Sequence, residues 1–466
     1  METKNYDVCI VGAGSAGMAA AYALKESGLK VALVEKNNLL GGTATACWVD
    51  TWIAGINPPY LEKLFGGLQA EGKASGDLDK SILPARFTKD GHSGNDDKLI
   101  FDPKALAEQY AVDMQGSNVD VFMGFNLPLE GAVEKDATSR RVDAITISSC
   151  ESPATQYRLA APWFIDSTAD GVLCRAAGCE ALLGEDSYER FNEPLMEGKT
   201  PQQSLNEPSL LFKIGKGTQT NITPSDDFNR DGYLMNSMEV NPMYGLRIDG
   251  SDVLQQGADL VHEQARKRTP VFWDFLRRSY RNGPYAPGYL DSYVPVDYAP
   301  MLGIRESWRI ACDYMLRQQD LEERISSANL KDYIACGSLV IDFHVYGSLI
   351  WEEVQEANKR LQPSGIPYRC LLPKALDNVW IACRAYGASH IALAARRVNK
   401  DMAQLGWAAG HAARMCVEKK LENTRAVTVE KLQDDDYTCF ATNVKKLEER
   451  LSPTRNLPQQ PVQTLA

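Results

Sequence analysis

The chain has 466 residues with 50 basic and 61 acidic side chains, a net charge of −11, and 44% apolar against 24% charged residues. That is the mix of a soluble, enzyme-sized protein of two or three domains at roughly 100–200 residues each, and its acidic balance excludes a phosphate-backbone binder, which needs a basic patch to release counterions. Eleven scattered cysteines with no C-x-x-C pair give neither a disulfide framework nor a zinc or iron–sulfur site, and fit free thiols in a reducing cytoplasm.

The stretch from Val8 to Leu24 is apolar but is broken by Gly12, Gly14, Ser15 and Gly17 and ends at Lys25 and Glu26. It is too short and too polar for a membrane span or a signal peptide. It reads instead as strand, turn and helix. Tyr6 to Val11 is a buried-strand pattern, Gly12-Ala13-Gly14-Ser15-Ala16-Gly17 is G-x-G-x-x-G, and an alanine-rich helix runs to Leu24 before Gly28. A second strand, Lys30 to Val34, ends in Glu35 and Lys36. Gly12 permits the tight turn, Gly14 lets a pyrophosphate reach the backbone, and Gly17 lets helix and strand pack closely. The helix N-terminus supplies free N–H groups. Glu35 suits the ribose hydroxyls of an adenosine. FAD and NAD both fit this unit. Leu40-Gly41-Gly42-Thr43-Ala44-Thr45 favours FAD, because small residues here let a flat ring lie against the backbone.

A strand-end Glu followed by a Gly-Gly pair resembles the glutathione-reductase-like FAD-binding flavoproteins. The resemblance implies that Gly41, Gly42, Thr43 and Ala44 run beside the ribityl chain and the isoalloxazine ring. Phe101 to Met114 then predicts a helix with Asp102 as N-cap and Pro103 in its first turn. Strands are predicted near Val119, at Val142 to Ser148, at Tyr157 to Ala161 and at Trp163 to Ile165. This helix, meander and returning strand resembles the crossover of the same superfamily. Asp166-Ser167-Thr168-Ala169-Asp170-Gly171, Gly365-Ile366-Pro367-Tyr368-Arg369 with Leu371-Leu372-Pro373-Lys374, and Arg384-Ala385-Tyr386-Gly387-Ala388-Ser389-His390 resemble the D-A-T-G-D-G, I-P-Y-R…L-P and R…S-A-S-H motifs of FAD-dependent oxidoreductases. The likeness runs from Tyr6 to about Gly410. It implies cofactor contacts at Asp170, Arg384, Ala388 and Ser389. Ser167, Ala169 and Cys383 depart from the motifs. Met301 to Asp320 resembles the family's R-x-x-R-I…Y…D helix.

The fold class is therefore α/β, a glutathione-reductase-like FAD-binding fold with an inserted α+β substrate domain. Residues 1–60, 100–180 and 372–420 make the FAD domain. Residues 61–99 are an insert near the active site, 181–371 the substrate domain, and 421–466 a C-terminal helix with a Pro- and Gln-rich tail. Asp252 to Arg268 predicts one amphipathic helix with Val253, Leu254, Ala258, Val261 and Ala265 on its apolar side. Val340 to Val345 predicts a strand bearing His344, and Ile391 onward one long helix with Gly406, Ala408, Ala409 and Gly410. Its N-terminus, at Gly387 to Ser389, would stabilise negative charge on reduced flavin.

His390 is the candidate catalytic acid or base, since the turn carrying it faces the flavin in the resembling family and its ordinary pKa lies near neutrality. A structural role is the expectation for His92, His262 and His411, and a packed loop for Tyr285, Tyr289, Tyr293 and Tyr298. Cys47 lacks the partner cysteine of the disulfide reductases. No metal site is expected. The expected activity is FAD-dependent oxidation or reduction of a small organic substrate by hydride transfer at flavin N5. The protein is expected to be a cytoplasmic monomer or homodimer with an external electron acceptor or donor, without nucleic-acid or membrane partners. A flavoprotein isomerase or hydratase with no net redox, or a flavin-containing protein without turnover, are the alternatives.

Overall fold

The computed structural model describes residues 1–83, 87, 98–136, 138–218, 221–222, 250–279, 293–344 and 347–451. His92, Tyr285, Tyr289 and the tail after Leu451 lie outside the described residues. At the centre is a five-stranded parallel sheet. It is built from β1 (Val8–Val11), β2 (Val31–Glu35), β3 (Val119–Met123), β4 (Trp163–Asp166) and β5 (Val379–Ile381), in the order β5-β4-β1-β2-β3. Every residue of β1, β2, β4 and β5 is buried, as a sheet covered on both faces requires of its strands. Register is in phase from strand to strand: Val8 faces Val31 and Trp163, and Val11 faces Val34 and Asp166. Helix α1 (Ser15–Leu24) joins β1 to β2. Helix α2 (Pro103–Met114) precedes β3, and Asp102 caps it by accepting from the amides of Lys104 and Ala105.

Between β3 and β4 the chain makes the expected meander. Ala144–Ser149 pairs antiparallel with Gln156–Ala160, with Phe125–Asn126 and with Val133–Glu134, and Glu2–Asn5 adds a parallel edge. This mixed α/β architecture with its parallel sheet is a Rossmann-like nucleotide-binding fold. A separate small core of Leu210, Leu211, Val253, Val261, Ala265, Ala299 and Leu302 marks part of the middle segment as its own packing unit. The stretch from Cys312 to Leu371 contributes instead to the main core and, at Ile325, Tyr333 and Cys336, to a second small core.

Four predicted elements differ. Met301 to Asp320 is not a helix. Arg309–Ile310 pairs with Ala181–Leu182, Ile310 N–H donates to Ala385 O, and Leu316 N–H donates to Gly387 O, so tertiary pairing overrides local propensity. Val340 to Val345 holds no strand within its described residues. Backbone groups there are satisfied by side-chain amides: Ile341 exchanges hydrogen bonds with Asn358, and His344 N–H donates to Asn206 Oδ1. The helix expected from Asp252 is two helices, Gly250–Gln256 and Ala258–Ser279, parted at Gly257 with φ +89°. Leu254 and Ala258 are exposed. The helix expected from Ile391 is also two, α3 (His390–Ala395) and α4 (Asn399–Glu418). The fully buried Arg396 breaks it. Its guanidinium donates to the carbonyls of Leu339, Gln362 and Ala395 and to Ser364 Oγ. No helix among the described residues is long and apolar enough to cross a membrane.

Helices α1 and α4 pack backbone to backbone. A Cβ on Gly406 would lie 1.9 Å from Ala16 O, and one on Gly410 would lie 2.7 Å from Ala20 O. Gly406→Ala should therefore cost about 1–3 kcal/mol of unfolding free energy through overpacking. Gly66→Ala, where a Cβ meets nothing within 4 Å, should stabilise slightly or be neutral. Urea denaturation of the two variants tests the packing; equal stabilities would overturn it.

Candidate active site

The three glycines of the turn differ in what a side chain there would meet. Gly12 has φ +94°, and a Cβ there would lie 2.3 Å from Ser167 O; one on Gly17 would lie 1.8 Å from Gly12 O. A Cβ on Gly14 meets nothing within 4 Å, so that position opens onto free space. Gly14 is the N-cap of α1 and offers no side chain to cap it, so the first amides of the helix are left for a ligand. Glu35, buried at the end of β2, accepts from Ala13 N at 2.8 Å and from Asn37 N and Nδ2 at 2.9 and 2.7 Å. The second glycine segment lies on the first. Gly41 and Gly42 both have positive φ, Gly41 N–H donates to Ala13 O, and a Cβ on Gly42 would lie 2.8 Å from Gly14 Cα.

A cavity of about 350 Å³ opens beside this turn. Of the residues expected to bind cofactor, Gly14, Ser15, Ala16, Thr43 and Arg384 line it. Gly12, Ala13, Gly17, Glu35, Lys36, Gly41, Gly42 and Ala44 do not line it. Asp170 holds Arg384 at 2.5 Å and accepts from Ser307 Oγ at 2.6 Å. Burial opposes its charge most strongly, but Arg384, the Ser307 hydrogen bond, Lys36 and Arg175 together outweigh it and keep the Asp170 carboxyl below the usual range. Ala169, where the family motif has glycine, lines the cavity with φ +69°. Cys383 lines it too, while Cys47 is a buried thiol whose Sγ–H donates to Leu302 O; burial pushes its pKa up to about 12.

Ala388, Ser389 and His390 are buried, and none of the three lines the cavity. Ser389 caps α3, accepting from Ala392 N and donating to Glu193 Oε1. The His390 ring is 2% exposed and stacks on Phe343; its Nδ1 is 2.7 Å from Glu306 Oε1. Arg309 joins this cluster through Asp186 at 2.6 Å, and Asp186 also accepts from His390 N. Burial disfavours the imidazolium, yet the Glu306 carboxylate prevails and the His390 pKa is raised.

Besides that of α1, the N-terminus of α4 reaches the cavity, whereas that of α3 does not. Arg397, Val398, Asn399 and Met402 line the cavity. Asn399 Oδ1 accepts from Ser15 Oγ, and its Nδ2 donates to Val49 O. Thr51, Lys98, Ser209, Arg305 and Asp342 complete the polar wall, and sequence reading had assigned none of them. Arg305 lay inside a segment read as a helix, which hid its position. Asp342 accepts from Arg397 at 2.9 Å and lies 3.3 Å from His344 Nε2. His262 binds the carbonyl of Ala299. His411 packs edge-on against Trp407 and Tyr437, with its pKa pushed down to about 3 by burial.

The FAD dependent oxidoreductase family matches residues 7–435. The chain belongs to that family. Membership implies an FAD cofactor and a redox-active enzyme, and the open face at Gly14, the uncapped α1 terminus and the paired glycines fit that cofactor. A small-molecule substrate is consistent with this family. Thiamine thiazole synthase of Aeropyrum pernix is 58% identical over 54 residues. That match covers 11% of this chain and only 17% of the relative's length. Among solved structures, p-nitrophenol 4-monooxygenase from Pseudomonas putida is 12% identical with TM-score 0.42, covering 97% of this chain and 91% of that one. A geranylgeranyl bacteriochlorophyll reductase-like protein from Thermoplasma acidophilum is also 12% identical, with TM-score 0.38 and coverage of 96% and 88%.

The first turn of α4 in this oxidoreductase also carries Asp401, fully buried and without a side-chain hydrogen bond. Burial pushes its pKa from 3.8 up to about 7. A carboxyl raised on folding stabilises the native state below its unfolded pKa, and that contribution is lost as pH rises through 7. Asp401→Asn should therefore raise the melting temperature at pH 8 and flatten its fall between pH 5 and 8. An unchanged pH profile in thermal melts would show that Asp401 is not the group responsible.

Proposed function

We propose that this chain oxidises or reduces a small organic substrate by exchanging a hydride with its FAD, with an external acceptor or donor completing the cycle. The observation that carries this reading is one continuous cavity. It joins the glycine turn at Gly14 and Thr43 to polar side chains from the middle segment, Ser209, Arg305 and Asp342. When bound, the flavin supplies N5 as hydride acceptor or donor. The α1 amides and Gly12 to Gly17 would hold the pyrophosphate, Glu35 the ribose hydroxyls, and Gly41 to Ala44 the chain toward the ring. Asp170 would fix Arg384 at the cavity wall. The first amides of α4 would offset negative charge on the reduced ring, the role expected of the Gly387 to Ser389 terminus. The parallel sheet with its meander crossover supports a glutathione-reductase-like arrangement, and the small core at Leu210 to Leu302 supports a substrate domain in the middle of the chain.

His390 enters this reading as a positioning residue. Through Glu306 it braces the adjoining Gly303 to Arg305 segment, which lines the cavity.

Anaerobic mixing of the holoenzyme with a panel of alcohols, amines and acids tests the redox reading. Bleaching of the oxidised flavin band by at least one compound is expected. Product formation without bleaching would replace this reading with an isomerase or hydratase.

His390→Gln should retain FAD and slow flavin reduction about tenfold or less, mainly through weaker substrate binding. The pH dependence of that binding should flatten, because the raised His390 pKa means that its imidazolium, present at lower pH, is lost as pH rises. A fall of about 10²–10⁴ in the reduction rate at saturating substrate would instead make His390 the acid or base itself.

A further inference from the structure

Asp342 lines the cavity with a side chain that is 40% exposed, and its two carboxylate oxygens are used unequally. Both basic neighbours meet Oδ2: Arg397 Nη2 donates to it at 2.9 Å, and His344 Nε2 lies 3.3 Å from it. The same Nη2 donates to the Asp342 backbone carbonyl at 3.2 Å, so one guanidinium nitrogen grips both the main chain and the side chain of Asp342. Among the described residues nothing donates to Oδ1, and that oxygen is not sealed off from solvent. Arg397 Nη1 likewise makes no hydrogen bond to a described residue and is not sealed off. The two open atoms therefore flank one ion pair, an acceptor on one side and a donor on the other. Enclosure within the protein opposes the charge on Asp342 most strongly, but the His344 hydrogen bond and the charges of Arg397, His344 and Arg305 outweigh it and hold the carboxyl well below the usual range. Beside this pair the cavity lining is apolar, from Ile53, Ile304, Leu339, Val340 and Met402.

We propose that Asp342 Oδ1 and Arg397 Nη1 form a subsite for a hydroxyl group, and that the substrate is an alcohol whose apolar body lies against Ile304, Leu339 and Val340. A hydroxyl donates one hydrogen bond and accepts two, so it satisfies both open atoms. A ketone or ether oxygen only accepts and leaves Oδ1 unmet. An ammonium only donates, and it would share the carboxylate with the Arg397 guanidinium, placing like charges side by side. A carboxylate would face the charge of Asp342 directly. The contacts at Oδ2 fix the orientation of the acceptor before the ligand arrives, which is how a supporting shell makes a recognition group specific. The inference rests on the redox reading for what happens to the bound alcohol, but the subsite itself is measured by binding.

The test uses the FAD-loaded protein under anaerobic conditions, so that at most one turnover occurs. Cyclohexanol and benzyl alcohol are the probes, with their methyl ethers and the corresponding amines, cyclohexylamine and benzylamine, for comparison. Affinity is read from perturbation of the bound-flavin absorption band and, independently, by equilibrium dialysis of labelled benzyl alcohol. The alcohols should bind at least about tenfold more tightly than the ethers, because a site built to pair with a hydroxyl rejects the analogue that lacks it, and the amines should bind no more tightly than the ethers. Asp342→Asn should weaken the alcohols about tenfold to a hundredfold, as expected for a lost hydrogen bond to a charged group, and leave the ethers nearly unchanged. Arg397→Lys, which keeps the charge and loses the second donor, should weaken the alcohols less. A loss confined to the alcohols is a result that a merely structural disturbance does not produce.

Equal binding of alcohols and ethers would overturn the proposal, as would an equal loss of both in Asp342→Asn. Tightest binding by the amines would also overturn it, by giving the carboxylate to a cation. Loss of FAD from folded Asp342→Asn would do so too, by assigning the carboxylate to the cofactor. Asp342-dependent alcohol binding with no bleaching by any compound would leave the subsite standing and remove the redox reading. Bleaching by an amine or an acid with no preference for alcohols would do the reverse.

Discussion

The site depends on the close approach of α1 and α4. Gly406 and Gly410 leave no side chain between the helices, so the α4 backbone rests on that of Ala16 and Ala20. Both helices therefore begin at one place, where Ser15 Oγ donates to Asn399 Oδ1. Two helix N-termini converge on one cavity, each contributing roughly half a positive charge and a set of free amides. A single side chain larger than hydrogen at position 406 would separate these termini, with effects reaching from the packing to the electrostatics. The same contact explains why the chain must be interrupted after Ala395. A continuous helix from His390 would not start its packing stretch at the level of the glycine turn. The buried Arg396, binding four backbone and hydroxyl acceptors from its own and neighbouring segments, fixes the break.

Behind the cavity wall lies a second organising device, the cluster of His390, Glu306, Arg309, Asp186, Glu193 and Ser389. All six are buried. A buried ion pair is weak evidence for net stability, because desolvation offsets most of the Coulomb gain, but removing one partner leaves an uncompensated charge. The cluster therefore contributes mainly orientation. Arg309 bridges toward Asp186, Ala388 O and Gly184 O, which ties the strand-like stretch at Arg309–Ile310 to the S-H turn and to the Gly184 to Asp186 segment. With Glu306 anchored on His390 on one side, its chain neighbour Arg305 lines the cavity on the other. Alternation along an extended segment separates neighbouring side chains in this way, and a helix over the same residues would not.

The nucleotide half of the fold was legible in the sequence because its signals are local. A β-branched run, a glycine turn, an alanine-rich helix and a strand-end carboxylate each constrain a few consecutive residues, and β1, α1, β2 and α2 sit where those signals put them. The rest of the site was not legible in that way. Arg305, Asp342 and Arg397 come from three segments whose backbone conformation is decided by distant partners: strand pairing at Arg309, side-chain amides at Ile341, and a buried guanidinium at Arg396. The helix that the family resemblance implied at 301–320 and the strand-like composition at 340–345 both gave way to tertiary hydrogen bonding. Gly257 was equally visible as a residue but gave no local warning that it would adopt positive φ and divide a helix.

The departures from the family motifs gain a physical meaning at Ala169. Glycine is usual there because the turn after β4 takes the chain through left-handed backbone space, and Ala169 takes the same path at φ +69°. A non-glycine residue in that region costs of order 1–3 kcal/mol unless its surroundings over-determine it. Here they do. Asp166 Oδ1 accepts from Thr168 N and Oγ1, Asp166 Oδ2 accepts from Cys174 N, and Val172 N–H donates to Thr168 Oγ1, so the turn is held from both sides of Ala169. The extra methyl and the Cys383 side chain both line the cavity where the motifs have glycine. Two small groups added at one end narrow the space near the glycine turn, while the arginine end keeps its polar lining. The cavity is thus narrowed from the motif side, while its charge is drawn from several parts of the chain: Arg305 and Asp342 from the middle segment, Lys98 from before it, and Arg384 and Arg397 from after it.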